Sequence, residues 1–250
     1  MQMSNNTILI TGGTSGIGYA LAAQFLERGN TVLITGRTEE RLASVRQSLP
    51  GVHTYVSDVS DPAAIRRLYS EVTRAFPDLN VLINNAGIGL KRNLNDTTGQ
   101  LEDLDTEIKT NLIGPIQMIK QFLPQLRRQR TAAIVNVSSG LAFVPLAVKP
   151  IYCATKAAIH SYTQSLRYQL RGTSVQVIEL PPPYVATDLM DGRTDPRAMP
   201  LDAFIAEVME ILTNHPNATE ICVERVKGLR FAEASGKYDG IFQGLNDAMH

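Results

Sequence analysis

The chain has 250 residues, of which 44% are hydrophobic and 19% are charged, and its 24 basic and 24 acidic residues balance to zero net charge. This composition is typical of a globular protein that can bury a substantial core. The charge balance argues against a nucleic-acid-binding protein, which normally carries a basic excess. Because no stretch approaches the roughly 18 apolar residues of a membrane span and no signal segment is evident, we expect a cytoplasmic protein without membrane contact.

The cysteines and histidines give no sign of a metal site or a disulfide framework. Cys153 and Cys222 lack C-x-x-C spacing, and the four histidines are scattered along the chain. Metal-binding proteins usually show clustered ligands at short, regular spacings. We therefore expect no bound metal.

Short apolar runs alternate with helical patterns along the whole chain. Seven runs are typical of buried strands, and they lie at 7–11, 31–35, 53–57, 81–84, 133–137, 174–178 and 220–223. Helical spacing of apolar residues fills the intervals, with long patterns at about 101–130 and 152–171. This order predicts an α/β protein in which residues 1–250 form a single Rossmann-type domain: a doubly wound parallel sheet with helices on both faces.

The first strand runs directly into a glycine-rich turn, Thr11-Gly-Gly-Thr-Ser-Gly-Ile-Gly18, and then into the first helix. Glycines permit a tight turn and a close approach of the backbone to a pyrophosphate, while the helix N-terminus offers N–H groups to an anion. The spacing G-x-x-x-G-x-G is neither the usual dinucleotide fingerprint nor a Walker loop. Its place after the first strand favours dinucleotide binding over a purely structural turn.

Arg37 follows the second strand, where NAD-dependent enzymes place an acidic residue that binds the ribose hydroxyls. A cation at this position can pair with a 2′-phosphate, which favours NADP(H), with NAD(H) possible. Glu39 and Glu40 could instead pair with Arg37 at the surface. Asp58, after the third strand, could bind the adenine amino group or simply cap a turn or helix.

Ser139, Tyr152 and Lys156 form the most informative pattern in the chain. If Tyr152 lies on a helix, Lys156 follows one turn later on the same face. A nearby ammonium would lower the phenol pKa from about 10 and make Tyr152 a usable general acid–base. Ser139 could hold a substrate oxygen beside the phenol. Taken alone, the pattern Tyr-x-x-x-Lys is common and also fits an ordinary amphipathic helix with both residues on its surface.

Two later segments are candidates for covering a site. Residues 187–200 depart from the strand–helix rhythm and could be a substrate loop or an ordinary surface loop. The segment 228–250 contains helical spacing and could lie near the pocket, at an interface or in the core. Six residues suggest an apolar substrate pocket, namely Leu141, Phe143, Val144, Tyr184, Leu189 and Met190.

Together these motifs resemble the short-chain dehydrogenase/reductase family over nearly the whole chain. Residues 11–18 match the family's cofactor turn, and Asn84-Asn-Ala-Gly87 matches its motif after the fourth strand. Ser139, rather than Ser138, has the family spacing of thirteen residues to the tyrosine. Residues 81–87 and 228–234 are similar to the DltE-like bacterial oxidoreductases, a resemblance that specifies no substrate.

The resemblance implies an NAD(P)-dependent oxidoreductase that reduces a carbonyl or oxidises the alcohol. Tyr152 would exchange the proton, Ser139 would orient the carbonyl oxygen, and Lys156 would hold the nicotinamide ribose and lower the phenol pKa. Asn111, the fourth implied catalytic residue, would support a water leading from Lys156, through its side chain or its effect on the helix backbone. The implied cofactor-binding residues are Gly12, Thr14, Ser15, Gly16, Ile17, Gly18, Arg37, Asp58, Val59, Asn85, Ala86, Gly87, Tyr152, Lys156, Val185 and Thr187.

One motif departs from the family pattern. After the sixth strand the family usually carries Pro-Gly-x-Val-x-Thr, and residues 182–187 read Pro-Pro-Tyr-Val-Ala-Thr. Pro183 in place of glycine fixes φ and removes an N–H. The nicotinamide end of the site could therefore be shaped unusually, or narrowed by Tyr184.

Other functions fit the residues less well. Sugar-nucleotide epimerases and dehydratases share Tyr-x-x-x-Lys but are typically longer and have a different glycine spacing. A non-catalytic NADP-binding sensor or scaffold would usually have lost one of the catalytic residues. The leading hypothesis is an NADP-dependent enzyme acting on a small carbonyl or alcohol substrate.

The family resemblance also implies a homodimer or homotetramer, assembled through the helices at about 101–130 and 152–171. Apolar residues on the first of these could form that interface or belong to the core, namely Ile113, Ile116, Ile119, Phe122 and Leu123.

Overall fold

A parallel sheet of six strands organises the described part of the chain, in the order β3-β2-β1-β4-β5-β6. The structure is a computed structural model that describes residues 1–95, 104–190 and 194–248, with only the backbone of Met190. Every neighbouring pair of strands runs parallel. The strands are β1 Thr7–Ile10, β2 Thr31–Gly36, β3 His53–Val56, β4 Leu79–Asn84, β5 Ala132–Val137 and β6 Val175–Leu180.

Helices connect the strands and cover both faces of the sheet, which confirms the predicted doubly wound α/β fold. None of the helices in the described ranges is long and apolar enough to cross a membrane. The helices are α1 Gly16–Glu27, α2 Glu39–Ser48, α3 Pro62–Ala75, α4 Asp105–Ile108, α5 Gly114–Arg127, α6 Pro150–Gln169, α7 Leu201–Asn214, α8 Glu224–Arg230 and α9 Tyr238–Asp247.

The segment predicted as a seventh strand, 220–223, contributes only one parallel bridge, between Glu179 and Glu220. The amide of Ile221 donates to the carbonyl oxygen of Glu179 at 2.8 Å, which continues the ladder for one step. The chain then turns into α8 at Glu224, so no longer run of paired residues forms. The apolar run at 220–223 therefore predicted a strand, but the start of α8 at Glu224 limits its pairing to one bridge.

Alternation along β1 shows how the two faces of the sheet are filled. Ile8 and Ile10 belong to the hydrophobic cluster that contains Phe25 of α1. Leu9 belongs to the opposite cluster, which contains Phe122 of α5. Because successive side chains of a strand point to opposite faces, a strand covered on both sides must be apolar throughout.

The predicted long helix at about 101–130 is interrupted within its described part. A π-helical turn, Lys109–Ile113, separates α4 from α5. Ile119 and Phe122 on α5 are core residues, whereas Ile113 is 39% exposed. Ile119 and Phe122, two of the candidates for a subunit interface, therefore belong to the core.

Phe122 offers a test of the core on the α5 side of the sheet. Its side chain is fully buried and meets Tyr69 edge-on, with the ring centroids 5.3 Å apart. Phe122→Ala should lower the free energy of unfolding by about 3–5 kcal/mol, because the contacts are lost and a cavity remains. Urea denaturation measures the change.

The matched control is Leu94→Ala, at a leucine that is 73% exposed. This substitution should change the free energy of unfolding by no more than about 0.5 kcal/mol. Equal losses for the two variants would contradict the assignment of Phe122 to the core.

Candidate active site

A cavity of about 1030 Å³ opens where the strands of the sheet end. Residues just after β1, β2, β4 and β5 line it, among them Gly12, Arg37, Asn85 and Ser138. In open α/β sheets, ligands bind in this position, outside the carboxyl ends of the strands. The cavity brings most of the predicted site residues to one place.

The glycine turn fronts this cavity with backbone atoms. Gly12 has a φ of +65°, and a Cβ there would lie 2.8 Å from Cα of Ala86. A Cβ on Gly18 would lie 2.4 Å from both Nδ2 of Asn85 and the carbonyl oxygen of Gly12. Side chains are excluded at both positions by sterics, which is the feature a phosphate-binding turn requires. The predicted residues Thr14, Ser15, Gly16 and Ile17 line the same end of the cavity.

Asn85 fastens the glycine turn to the end of β4. Its Nδ2 donates to the carbonyl oxygens of Thr11 and Gly12, each at 3.0 Å. In return, Oγ1 of Thr11 accepts from the backbone amides of Asn85 at 3.0 Å and Ala86 at 3.1 Å. Asn85, which was predicted to bind the cofactor, holds the backbone of the glycine turn by these hydrogen bonds. Thr11 was not predicted as its partner.

At the far end of the cavity, Arg37 and Arg41 both line the wall. Glu39, one of the two acidic residues considered as a surface partner for Arg37, forms an ion pair with Arg46 instead. Arg41 was missed by the sequence analysis. Helical spacing gave no signal for it, because Arg37 precedes α2 and Thr38, between Arg37 and the helix, has an extended backbone.

Asp58 has the turn role that the sequence analysis left open. Its Oδ1 accepts from the amide of Ser60 at 2.8 Å and from the hydroxyl of Ser60 at 2.7 Å. Asp58 and Val59 also line the cavity, so contact with a bound adenine is sterically compatible with this turn.

Tyr152 and Ser139 both line the cavity and are joined by a hydrogen bond. Tyr152, on α6, is 4% exposed, and Ser139 follows β5. Burial raises the pKa of Tyr152 to about 12, and a hydrogen bond with the Ser139 hydroxyl opposes this rise. The carboxylate of Glu107 adds a smaller effect that raises the same pKa. The phenol is therefore firmly protonated at neutral pH.

Lys156 lies one turn after Tyr152 on α6, with Nζ 5.6 Å from the centroid of the phenol ring. Nζ donates to the carbonyl oxygen of Val137 at 2.8 Å. Burial lowers the pKa of Lys156 to about 8, and the charge of Glu179 opposes this fall. The predicted lowering of the Tyr152 pKa is wrong for the protein's own residues, because desolvation of the phenol dominates.

Asn111 lies in the π-helical turn and binds the segment after β4. Its Oδ1 accepts from the amide of Ile88 at 2.9 Å, and its Nδ2 donates to the carbonyl oxygen of Ile88 at 2.8 Å. Nδ2 also contacts Oγ1 of Thr155 on α6 at 3.2 Å. These bonds hold the segment after β4 beside α6, and the role of Asn111 in proton transfer, through its side chain or through the helix backbone, stays a prediction.

The loop after β6 reaches the glycine turn although Pro183 replaces the expected glycine. A Cβ on Gly16 would lie 3.3 Å from Cγ2 of Thr187, so the two segments are close neighbours. Val185 pairs with Met199 in a parallel bridge. The hydroxyl of Tyr184 donates to Asp195 at 3.1 Å, which fixes the tyrosine at the cavity wall.

The predicted apolar pocket is only partly present. Leu141, Tyr184 and Leu189 line the cavity. Val144 is fully buried, and Phe143 packs edge-on against His160 with the centroids 4.8 Å apart. Neither residue is among those that line the cavity, and both come directly after a 3₁₀ turn, Gly140–Ala142. The side chain of Met190 and residues 191–193 lie outside the described residues.

Comparisons with known proteins point to one family. A sequence profile described as short chain dehydrogenase matches residues 6–198. The chain belongs to the short-chain dehydrogenase family.

Two relatives and one solved structure show how close this short-chain dehydrogenase is to known members. The uncharacterized oxidoreductase DltE of Bacillus subtilis strain 168 is 46% identical over 249 residues, 98% of each chain. The NADP-dependent 3-hydroxy acid dehydrogenase YdfG of Salmonella typhi is 35% identical over 176 residues, 70% of this chain and 71% of that one. A short chain dehydrogenase from Burkholderia cenocepacia J2315 in complex with NADP has a TM-score of 0.82 and 25% identity, covering 98% of this chain and 99% of its own. The DltE-like resemblance is confirmed.

Two buried charged residues near the substrate end of this dehydrogenase were missed by the sequence analysis. Nζ of Lys149 donates to the carbonyl oxygens of Gly89 at 3.0 Å and Leu189 at 3.4 Å, and so joins the segment after β4 to the loop after β6. The carboxylate of Glu107 accepts from the amide of Leu90 at 3.0 Å. From the C-terminal segment, Leu245 lines the cavity. No local spacing marks Lys149, whereas Glu107 lies four positions before Asn111.

The lowered pKa of Lys156 predicts a pH-dependent stability. Its folded-state value of about 8 lies below the ordinary 10.5, so the unfolded chain holds an extra proton between these values. The free energy of unfolding should therefore rise from about pH 8 to 10.5, by roughly 3 kcal/mol at most. Lys156→Met should abolish this rise, as measured by urea denaturation at pH 7.5 and pH 10. A rise that persists in the variant would assign it to another group.

Proposed function

We propose that the protein is an NADPH-dependent carbonyl reductase, able to oxidise the alcohol in reverse, with Tyr152 as the general acid–base. One observation carries this proposal: a single cavity is lined both by the buried, hydrogen-bonded pair Tyr152 and Ser139 and by the cations Arg37 and Arg41. Membership of an oxidoreductase family supports the reaction class.

The residues present fit a nicotinamide dinucleotide. The glycine turn leaves room for a pyrophosphate where side chains would clash, and α1 begins at Gly16 with its N-terminal N–H groups. Arg37 and Arg41 would hold a 2′-phosphate, while Val185 and Thr187 would contact the nicotinamide end. When bound, this cofactor supplies the hydride for reduction of the carbonyl carbon. The name of the Salmonella relative, an NADP-dependent enzyme, supports the choice of NADP.

Tyr152 would donate the proton to the carbonyl oxygen. Because its pKa is raised to about 12, the phenol carries its proton at neutral pH, which is the form needed for reduction. The Ser139 hydroxyl would hold the same oxygen by a hydrogen bond. In the reverse reaction, oxidation of the alcohol, the phenolate form of Tyr152 would accept the proton.

Lys156 would restore the proton that Tyr152 gives up. Its pKa of about 8 allows it to release a proton close to neutral pH. We assign the path for this proton to water near the π-helical turn, where Asn111 holds the backbone of Ile88. Water can carry a proton to Lys156 from solvent, so this path needs no further side chain.

The role of Tyr152 is tested by a panel of aldehydes and ketones, with NADPH consumption followed by absorbance. Tyr152→Phe should lower kcat by about 10²- to 10⁴-fold while leaving NADPH binding intact, because only the transferable proton is lost. The control is Tyr168→Phe, which removes a hydroxyl from an exposed tyrosine on the same helix. Equal turnover by the wild type and Tyr152→Phe would refute the mechanism. Tight NADPH binding without reduction of any carbonyl would favour a sensor or scaffold.

The role of Arg37 and Arg41 is tested by comparing the two cofactors. Arg37→Ala and Arg41→Ala should each raise the Kd for NADPH by about 10- to 100-fold, because a charge-assisted bond to the 2′-phosphate is lost. The Kd for NADH should stay unchanged. Arg46→Ala is the control, since Arg46 lies on α2, as Arg41 does, but pairs with Glu39. A preference of the wild type for NADH would contradict the assignment.

A further inference from the structure

A buried carboxylate lies behind the catalytic serine, on the strand that neighbours β5. Glu179 of β6 is fully buried. Its Oε1 accepts from the hydroxyl of Ser138 at 2.5 Å, and its Oε2 lies 2.8 Å from Nδ1 of His160 on α6. Neither Glu179 nor His160 is among the residues predicted for the site.

We propose that Glu179 is a positioning residue of this active site, which fixes through Ser138 the backbone that presents Ser139 to Tyr152. The inference rests on the proposed function, because it concerns how the same catalytic group is held. Glu179 would touch neither substrate nor cofactor.

The alternation of an extended chain explains how Ser138 can orient Ser139. Ser139 has extended backbone angles, φ −169° and ψ 155°, so successive side chains point in opposite directions. The Ser138 hydroxyl is drawn to Glu179 on one side, and the Ser139 hydroxyl is thereby directed to Tyr152 on the other. Backbone bonds hold the same segment: Ser138 N to Leu180 O at 2.9 Å, and Gly140 N to Pro182 O at 2.8 Å.

Burial of the carboxylate makes the hydrogen bond between Ser138 and Glu179 strong. A buried charge is tolerated only when hydrogen bonds satisfy it. The 2.5 Å contact with Ser138 falls at the short end of charge-assisted O–H···O⁻ bonds. The position of His160 requires Nδ1 to carry the proton that faces Glu179. Removal of the Ser138 hydroxyl would leave the carboxylate short of a donor and free the serine segment to shift.

Glu179 also acts on Lys156 through its charge. Its carboxylate raises the pKa of Lys156 against the effect of burial. The other titratable groups nearby are Tyr152 on α6, His160 beside Glu179, and Glu220, whose carboxylate lies within 4.8 Å of both His160 and Glu179. Glu220 is paired with Arg230 at 2.7 Å. Glu220 is therefore a neighbouring carboxylate with its own cation, which makes it a matched control.

Three variants separate the two effects of Glu179. Ser138→Ala removes the hydroxyl but keeps the charge of Glu179. Glu179→Gln keeps a hydrogen-bond acceptor of similar size but removes the charge. Glu220→Gln removes the neighbouring charge without touching Ser138.

Steady-state kinetics with NADPH and a carbonyl substrate from the panel tests the positioning. Ser138→Ala should lower kcat by about 10- to 100-fold with little change in KM for NADPH, because small misplacements of a catalytic group cost that much. Ser138→Thr retains the hydroxyl and should recover most of the lost kcat. Glu220→Gln should stay within about twofold of the wild type. Wild-type kcat in Ser138→Ala would overturn the proposal.

Two further measurements need no turnover, so they test the positioning even if the proposed function fails. Backbone hydrogen exchange of Gly140 and Leu141, whose amides donate to Pro182 and to Ser139 Oγ, should be faster in Ser138→Ala than in Glu220→Gln. NMR of ¹⁵N-labelled lysine, assigned with Lys156→Met, should show Lys156 titrating at lower pH in Glu179→Gln only. Unchanged exchange in Ser138→Ala would overturn the proposal. An unchanged Lys156 titration in Glu179→Gln would refute only the charge effect of Glu179 on Lys156. Absence of carbonyl reduction by the wild type would refute the proposed function alone.

Discussion

Burial of two ionisable side chains at the edge of the sheet is the constraint to which the rest of the site responds. Desolvation raises the pKa of Tyr152 to about 12 and lowers that of Lys156 to about 8. Each group is then partly compensated by a neighbour: Ser139 for the phenol, and the Val137 carbonyl with the Glu179 charge for the ammonium. Parallel strands make this possible, because their ends bring separate segments of the chain to one place. A phenol held protonated beside a lysine of lowered pKa is suited to giving a proton and regaining it.

Asparagine side chains hold the loops around these groups. A loop that lines a site has backbone N–H and C=O groups that no strand or helix satisfies. Asn85 binds the backbone of the glycine turn, and Asn111 binds both backbone groups of Ile88. In the sheet itself, Asn84 donates to Asn136, which donates to Thr163 on α6. An amide side chain offers both a donor and an acceptor, so it can replace the partner strand that a loop lacks. These residues thus act on the site mainly by keeping its backbone in place.

Several features of the site could be predicted and others could not, for physical reasons. The turn at residues 12–18 was predicted because glycine spacing is a local property with a steric cause. Phe143 and Val144 were assigned to the substrate pocket by their apolar character, but Phe143 packs against His160 and Val144 is fully buried, and neither lines the cavity. The prediction of a strand at 220–223 was wrong because the start of α8 limits the pairing of this segment to a single bridge. The direction of the Tyr152 pKa was wrong because charge proximity was inferred from helical spacing, whereas burial is set by the whole fold.

By itself, the sequence determined the order of strands and helices, the glycine turn and the alignment of Tyr152 with Lys156 on one helix. These follow from spacing along the chain, and local backbone geometry converts spacing into position. Only the tertiary structure decided that Glu179 meets Ser138 and that Lys149 joins the segment after β4 to the loop after β6. Such contacts join residues far apart in sequence or depend on burial, and no local pattern encodes either. The spacing identified Tyr152 and Lys156 as a pair, and their burial in the folded chain sets the direction in which each pKa is shifted.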